Sequence, residues 1–226
     1  MSTETPQATT MPLIGDEFPE LEVETTHGSI SLPDDYEGEW IVLFSHPGDF
    51  TPVCTTEFTA FEERREEFEA RDANLVGLSV DRVHSHHKWT EWIADELDVD
   101  IDFPIIADEG GTVGERLGML HPGGGSATIR AVFVVDPKGI VRQILYYPKE
   151  IGRNIDEILR SLDALQTSDE EGVATPADWP NNDLFDDRVL LPPPSTVDGI
   201  ASRESIADED GVELYDWWFT LRDLDS

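Results

Sequence analysis

Five consecutive apolar residues, Trp40-Ile41-Val42-Leu43-Phe44, restrict what this chain can fold into more than any other stretch. So short a continuous run, with no polar residue to face water, suits a strand buried on both faces. It is followed by a turn-rich loop, Ser45-His46-Pro47-Gly48-Asp49-Phe50-Thr51-Pro52-Val53-Cys54, and then by Phe58, Phe61 and Phe68 at helical spacing. The stretch reads as buried strand, tight loop and helix. Thr51 suits the N-cap, and Pro52 the first helical position, where a missing N–H leaves nothing unpaired. Cys54 then falls in the first helical turn.

A thiol in that turn meets free backbone N–H donors and the positive end of the helix dipole, which favour the thiolate. Cys54 is therefore a candidate nucleophile. It reads equally as a small apolar residue packed against Phe44 and Phe50, because free cysteine is among the most buried residue types. It is the sole cysteine of 226 residues. That rules out an internal disulfide, fits a reducing cytoplasm, and excludes a dithiol oxidoreductase.

Around this unit the chain alternates strands and helices. Residues 1–15 read as a loose arm. Leu21–Glu24 and Ser29–Leu32 alternate apolar and polar about His27-Gly28, as a hairpin does. Asn74–Val80 is a second apolar strand, and Ser85–Leu97 a helix with Trp89, Trp92, Ile93 and Leu97 at helical spacing. Phe103–Ala107 reads as a strand and Thr112–Leu117 as a short helix. Gly123-Gly124-Gly125 breaks the pattern. Strands Ala131–Val135 and Val141–Tyr146 flank the turn Asp136-Pro137-Lys138-Gly139, and an amphipathic helix spans Asn154 to about Gln166. The order implies an α/β fold, a thioredoxin-like mixed sheet flanked by helices. Residues 1–165 form that domain. Residues 166–226, rich in Asp, Glu and Pro, read as an extended C-terminal arm ending in Tyr215-Asp216-Trp217-Trp218-Phe219, aromatic residues that should dock on something.

Forty-nine acidic residues against 15 Lys and Arg give a net charge of −34. Repulsion on that scale argues against nucleic acid and anionic membranes as partners. With 38% hydrophobic residues the chain is not disordered as a whole, and its acidity suits a surface bathed in concentrated salt, as in a halophile. The N-terminus shows neither a basic segment nor an apolar one, so no export signal is expected.

The loop wording Pro47-x-x-x-Thr51-x-x-Cys54, and more fully His46-Pro47-x-Asp49-Phe50-Thr51-Pro52-Val53-Cys54-Thr55-Thr56-Glu57, resembles the signature of the peroxiredoxins, the one-cysteine subfamily and its archaeal members in particular. Ser79-Val80-Asp81, Trp89, Phe103–Asp108, Arg130 and Gly152-Arg153-Asn154 match further landmarks. The resemblance implies that Cys54 is the peroxidatic thiol, that Thr51 hydrogen-bonds the peroxide and that Pro47 shields the sulfur. Arg130 would hold the thiolate and orient the peroxide, and Arg153 would stand nearby. His46 would lie near the peroxide pocket, or else be a packed side chain. Glu57 is placed to tie the two guanidiniums together, the backbone at Val53 and Cys54 to donate to the leaving oxygen, and Trp89 to pack toward the site. In archaeal relatives the arm crosses to a dimer partner and its tryptophan, here Trp217, approaches the partner's site.

His84, His86 and His87 near Asp81 invite a metal, but they point in different directions around a helix. No metal or other cofactor is expected. The archaeal members often carry resolving cysteines beside the final aromatic segment, where this chain has Leu214 and Thr220, and Glu39 stands before Trp40 where some relatives carry a phospholipase serine. The expected function is reduction of H₂O₂ and small organic hydroperoxides through a Cys54 sulfenic acid, resolved by an external thiol or redox protein. The expected assembly is a homodimer, or a ring of five dimers. The alternative is a redox-responsive binding protein whose assembly changes when Cys54 is oxidised.

Overall fold

A computed structural model describes residues 11–120, 125 and 127–224. They form two compact units that divide between Ile155 and Asp156.

In the first unit the strands β1 (Leu21–Thr25), β2 (Gly28–Leu32), β3 (Trp40–Ser45), β4 (Ala73–Ser79), β5 (Ile105–Ala107), β6 (Arg130–Val135) and β7 (Val141–Tyr147) make one mixed sheet. Its order is β2-β1-β5-β4-β3-β6-β7. Every residue of β3 and β6 is buried, which is why neither strand alternates apolar with polar residues. Ile41 and Leu43 face one core, with Leu78, Phe133 and Met119. On the other face Phe44 stacks on Phe61 at 4.0 Å and meets Phe58 and Phe103 edge-on at 5.4 Å.

The helices are α1 (Pro52–Glu63), α2 (Arg65–Glu69), α3 (Val83–Leu97) and α4 (Thr112–Arg116). The helix carrying the three phenylalanines is thus broken at Arg64, and Phe68 lies on the second piece. In α3 the buried stripe is His86, Trp89 and Ile93. Trp92 and Leu97, expected on that stripe, are exposed. Met11–Gly15, expected to be loose, leads into a tether in which Gly15 N–H donates to Val141 and Glu17 bridges Ile140. Of the glycine break, Gly123 and Gly124 lie outside the described residues.

The second unit holds nearly all of α5 (Ile155–Glu171), then β8 (Val189–Leu190), α6 (Val197–Ser205), β9 (Val212–Asp216) and β10 (Phe219–Arg222). The arm is not simply extended: its strands form a small sheet, β8-β10-β9. Val173, Trp179 and Val189 bury a core of their own against Ala164, Leu191 and Leu224, and Trp179 donates its indole N–H to the Asp187 carbonyl at 2.7 Å. Those apolar residues are too far apart in sequence to show any period, so the pattern gave no sign of them.

Candidate active site

The antiparallel pairing of β3 with β6 sets Phe44 opposite Val132. Two residues back along β6, Arg130 therefore comes level with the start of the loop that leaves β3. The loop ends at Thr51, and α1 begins at Pro52, so Cys54 is carried in its first turn and is fully buried. The Nη1 of Arg130 donates to Cys54 Sγ at 3.3 Å. Its Nε and Nη2 both donate to the Lys149 carbonyl, at 3.0 and 2.8 Å, which aims the guanidinium.

Glu57, one helical turn beyond Cys54, joins the two arginines. Its Oε2 accepts from Arg130 Nη1 at 2.5 Å and from Arg153 Nη2 at 2.8 Å, and its Oε1 accepts from Arg153 Nε and N–H at 2.8 Å each. Arg153 Nη1 donates to the carbonyls of Ser45 and Ala131 at 2.9 and 3.0 Å. Its guanidinium lies over Phe44 and Phe61, 5.2 and 5.4 Å from their ring centres. Burial pulls Arg153 below its ordinary pKa, and the Glu57 carboxylate opposes that. The cluster holds two guanidiniums and one carboxylate, and the sulfur lies against its Arg130 end.

Thr51 stands at the N-cap, but its hydroxyl does not cap. It donates to the Gly48 carbonyl at 2.8 Å, which corrects the expected cap: with its proton engaged, the oxygen keeps lone pairs that can accept from a ligand. Pro47 lies within the same loop, and Val53 is the second residue of α1, where N–H groups have no intrahelical acceptor.

His46 is a packed residue. It stacks on Trp89, ring centres 5.1 Å apart, and its Nε2 is 2.9 Å from Asp49 Oδ1. Burial lowers its pKa despite Asp49, and its Nδ1 has no hydrogen-bond partner among the described residues. Asp49 meets His86 on its other side, with Nδ1 at 2.9 and 3.1 Å from the two carboxylate oxygens. Burial alone would raise the Asp49 carboxyl, but hydrogen bonds from His46 and His86 hold it well below the usual carboxylate range. Trp89 donates to Thr55 Oγ1 at 3.3 Å. Trp217 belongs to the second unit, half-buried at the turn between β9 and β10.

Asp49, His86 and Asp81, which accepts from Asp49 N–H at 2.9 Å, were not among the expected site residues. For His86 a signal existed: it precedes Trp89 by three residues and Ile93 by seven, the spacing of one helical face.

Residues 14–144 match the AhpC/TSA family, and residues 164–205 match the C-terminal domain of 1-Cys peroxiredoxin. A peroxiredoxin of Thermotoga petrophila is 60% identical over 94% of this chain and 97% of its own. One of Methanocaldococcus jannaschii is 57% identical over 95% of this chain and 100% of its own. Among solved structures, a yeast mitochondrial 1-Cys peroxiredoxin, described for thiol resolution through glutathione and thioredoxin systems, superposes with a TM-score of 0.81 at 39% identity, covering 94% of this chain and 99% of that one. A mutant of the peroxiredoxin 6 of Arenicola marina gives 0.80 at 34% identity, covering 93% and 97%.

Proposed function

The chain belongs to the AhpC/TSA family, among the one-cysteine peroxiredoxins, and is a thiol-dependent peroxidase; from that premise we propose that Cys54 is its peroxidatic thiol and Arg130 the group that stabilises charge on both sulfur and peroxide. The observation that carries this reading is the Arg130 N–H at 3.3 Å from the buried sulfur.

The Cys54 thiolate attacks the terminal oxygen of the hydroperoxide. The S–O bond forms as the O–O bond breaks, sulfur loses two electrons, and the leaving alkoxide or hydroxide takes up a proton to become alcohol or water. Donors already fixed around the site oppose the charge as it moves from sulfur to the departing oxygen, without reorganising. The Arg130 guanidinium and the first-turn N–H groups at Val53 and Cys54 fill that role, while Thr51 Oγ1, its proton on Gly48, accepts the peroxide's own O–H. Pro47 excludes water beside the sulfur. An external thiol then attacks the sulfenic acid, releasing water and leaving a mixed disulfide, and a second thiol restores Cys54. The reductant is a small thiol or a thioredoxin-type protein, in line with the systems described for the yeast relative. A binding protein switched by Cys54 oxidation finds no support in the comparisons.

The test is peroxide loss by the whole chain with dithiothreitol in excess, with sulfenic acid trapped at Cys54 for mass spectrometry. Sustained turnover that vanishes in Cys54→Ser is expected. One equivalent consumed and no more would overturn the reading.

We further read the chain as a cytoplasmic protein of a high-salt cell that assembles as a dimer or a ring of five dimers. Tyr215 and Trp218, 57% and 56% exposed, are aromatic surface that association would cover. Sedimentation in concentrated KCl distinguishes monomer, dimer and decamer. Among the described residues no helix is long and apolar enough to cross a membrane.

A further inference from the structure

Asp49, His46 and His86 bring three ligand-type atoms within 4.8 Å of one another, all buried. The atoms are already engaged with each other: the Asp49 carboxylate, 1% exposed, takes both imidazoles at 2.9 Å. The arrangement is a hydrogen-bond clamp, and what it clamps is the loop that shapes the peroxide pocket. His46 and Asp49 stand three residues apart in that loop, so their contact closes it on itself with Pro47 and Gly48 between them. The far end of the clamp is His86 on α3, whose Nε2 lies 3.3 Å from the Ile106 carbonyl of β5. A carboxylate beside one nitrogen and a carbonyl beside the other set the orientation of the ring between α3 and β5. Loop, helix and sheet are thereby joined through a single imidazole. Asp81 adds a second tie, accepting from both Asp49 N–H and Ser79 Oγ, but it grips the backbone and leaves the Asp49 carboxylate to His86.

We propose that His86 is a positioning residue for peroxide reduction, holding the loop that carries Pro47 and Thr51 in its reactive geometry by clamping Asp49 against His46. This rests on the peroxidase reading. His86 sits behind the loop and need not touch peroxide. Its effect is on placement, and a misplacement of about 1 Å in a group that orients a reactant lowers a rate by up to about a hundredfold. The charge cluster of Arg130, Arg153 and Glu57 does not involve His86 in any of its hydrogen bonds, so the sulfur's own nucleophilicity should survive loss of the clamp.

The experiment compares two second-order rates on the full chain, Cys54 with H₂O₂ by stopped flow and Cys54 with iodoacetamide, in wild type, His86→Leu, His86→Asn and Asp49→Asn. His86→Leu should slow the peroxide step roughly ten- to a hundredfold while alkylation changes by no more than about twofold. His86→Asn, whose amide can still donate near the Nδ1 position, should recover most of the peroxide rate. Asp49→Asn cannot accept from both imidazoles in the same way and should not. Equal peroxide rates in wild type and His86→Leu overturn the inference, as does a parallel fall in both reactions. Should His86→Leu fail to fold, the contrast between His86→Asn and Asp49→Asn decides, and equal peroxide rates in those two overturn it. A wild-type chain that spares peroxide would remove the peroxidase reading itself, and this inference with it.

Discussion

Arg130 serves Cys54 and Glu57 with the same nitrogen, its Nη1, at 3.3 Å from the sulfur and 2.5 Å from the carboxylate. Glu57 thus fixes how the guanidinium presents itself to the thiol. Glu57→Gln keeps the shape and removes the charge between two buried arginines. It should cost about 3–5 kcal/mol of stability, as removing one partner of a buried ion pair does. It should also lower the peroxide rate roughly a hundredfold, the scale on which loss of a preorganised contact is felt. Urea unfolding and stopped-flow peroxide reduction measure the two effects, and a variant as stable and fast as wild type would contradict the assignment.

Arg153 satisfies Glu57, Ser45 and Ala131 together while lying over two phenylalanine rings. Lysine has neither the planar fork nor the stacking face. Arg153→Lys should therefore destabilise by several kcal/mol, on the order of 3, even though the charge is kept. A thermal melt unchanged from wild type would show that charge alone matters there.

Stability should fall on the acid side of neutrality. Burial lowers the His46 pKa, so between its folded value and about 6.5 the unfolded chain binds more protons than the native one. The contribution is complete above about 6.5 and is lost as pH falls through that window. The Asp49 carboxyl, held low by the imidazoles, adds its own loss only below about pH 4, its unfolded range. Urea midpoints from about pH 7 to 5 should therefore drop in wild type and drop less in His46→Gln. Parallel slopes would exclude His46 as the titrating group.

A Cβ on Gly77 of β4 would come within 3.2 Å of Phe58 Cζ and 3.5 Å of Ile105. Phe58 packs between His46 and Trp89, at 4.6 and 4.7 Å between ring centres, so it has little room to yield. Gly77→Ala should cost about 1–3 kcal/mol through overpacking. Calorimetry gives the number, and a stabilised variant would mean that the ring moves freely.

The net charge of −34 makes like-charge repulsion a standing load on the fold, and screening shortens its range to about 3 Å at 1 M salt. The melting temperature should climb by several degrees from about 0.1 M to about 2 M KCl. A flat response would remove the reading of the surface as one made for salt.

How far the sequence revealed the site depends on the range of each contact. Trp40–Phe44 and the placement of Cys54 in a first helical turn follow from local chemistry, and both were legible. That Arg130 faces Cys54 depends on the β3–β6 register, which pairs residues about 90 apart in the chain, and only the resemblance pointed to it. His86 hid among three histidines because its partner, Asp49, lies 37 residues away. Thr51 was placed correctly and its hydroxyl was not, since an N-cap position does not decide between a backbone N–H and the Gly48 carbonyl. The small sheet of the second unit joins strands of two to five residues, too short for any period to show.

Trp89 is fully buried, stacked on His46 and hydrogen-bonded to Thr55, the residue after Cys54. An indole so placed is a fluorophore built into the site. Oxidation of the sulfur should alter the electric field and packing at that ring, and the emission of Trp89 with them. The difference between the spectra of wild type and Trp89→Phe should isolate that signal and give an optical indicator of whether Cys54 is a thiol or a sulfenic acid; identical difference spectra before and after peroxide would exclude it.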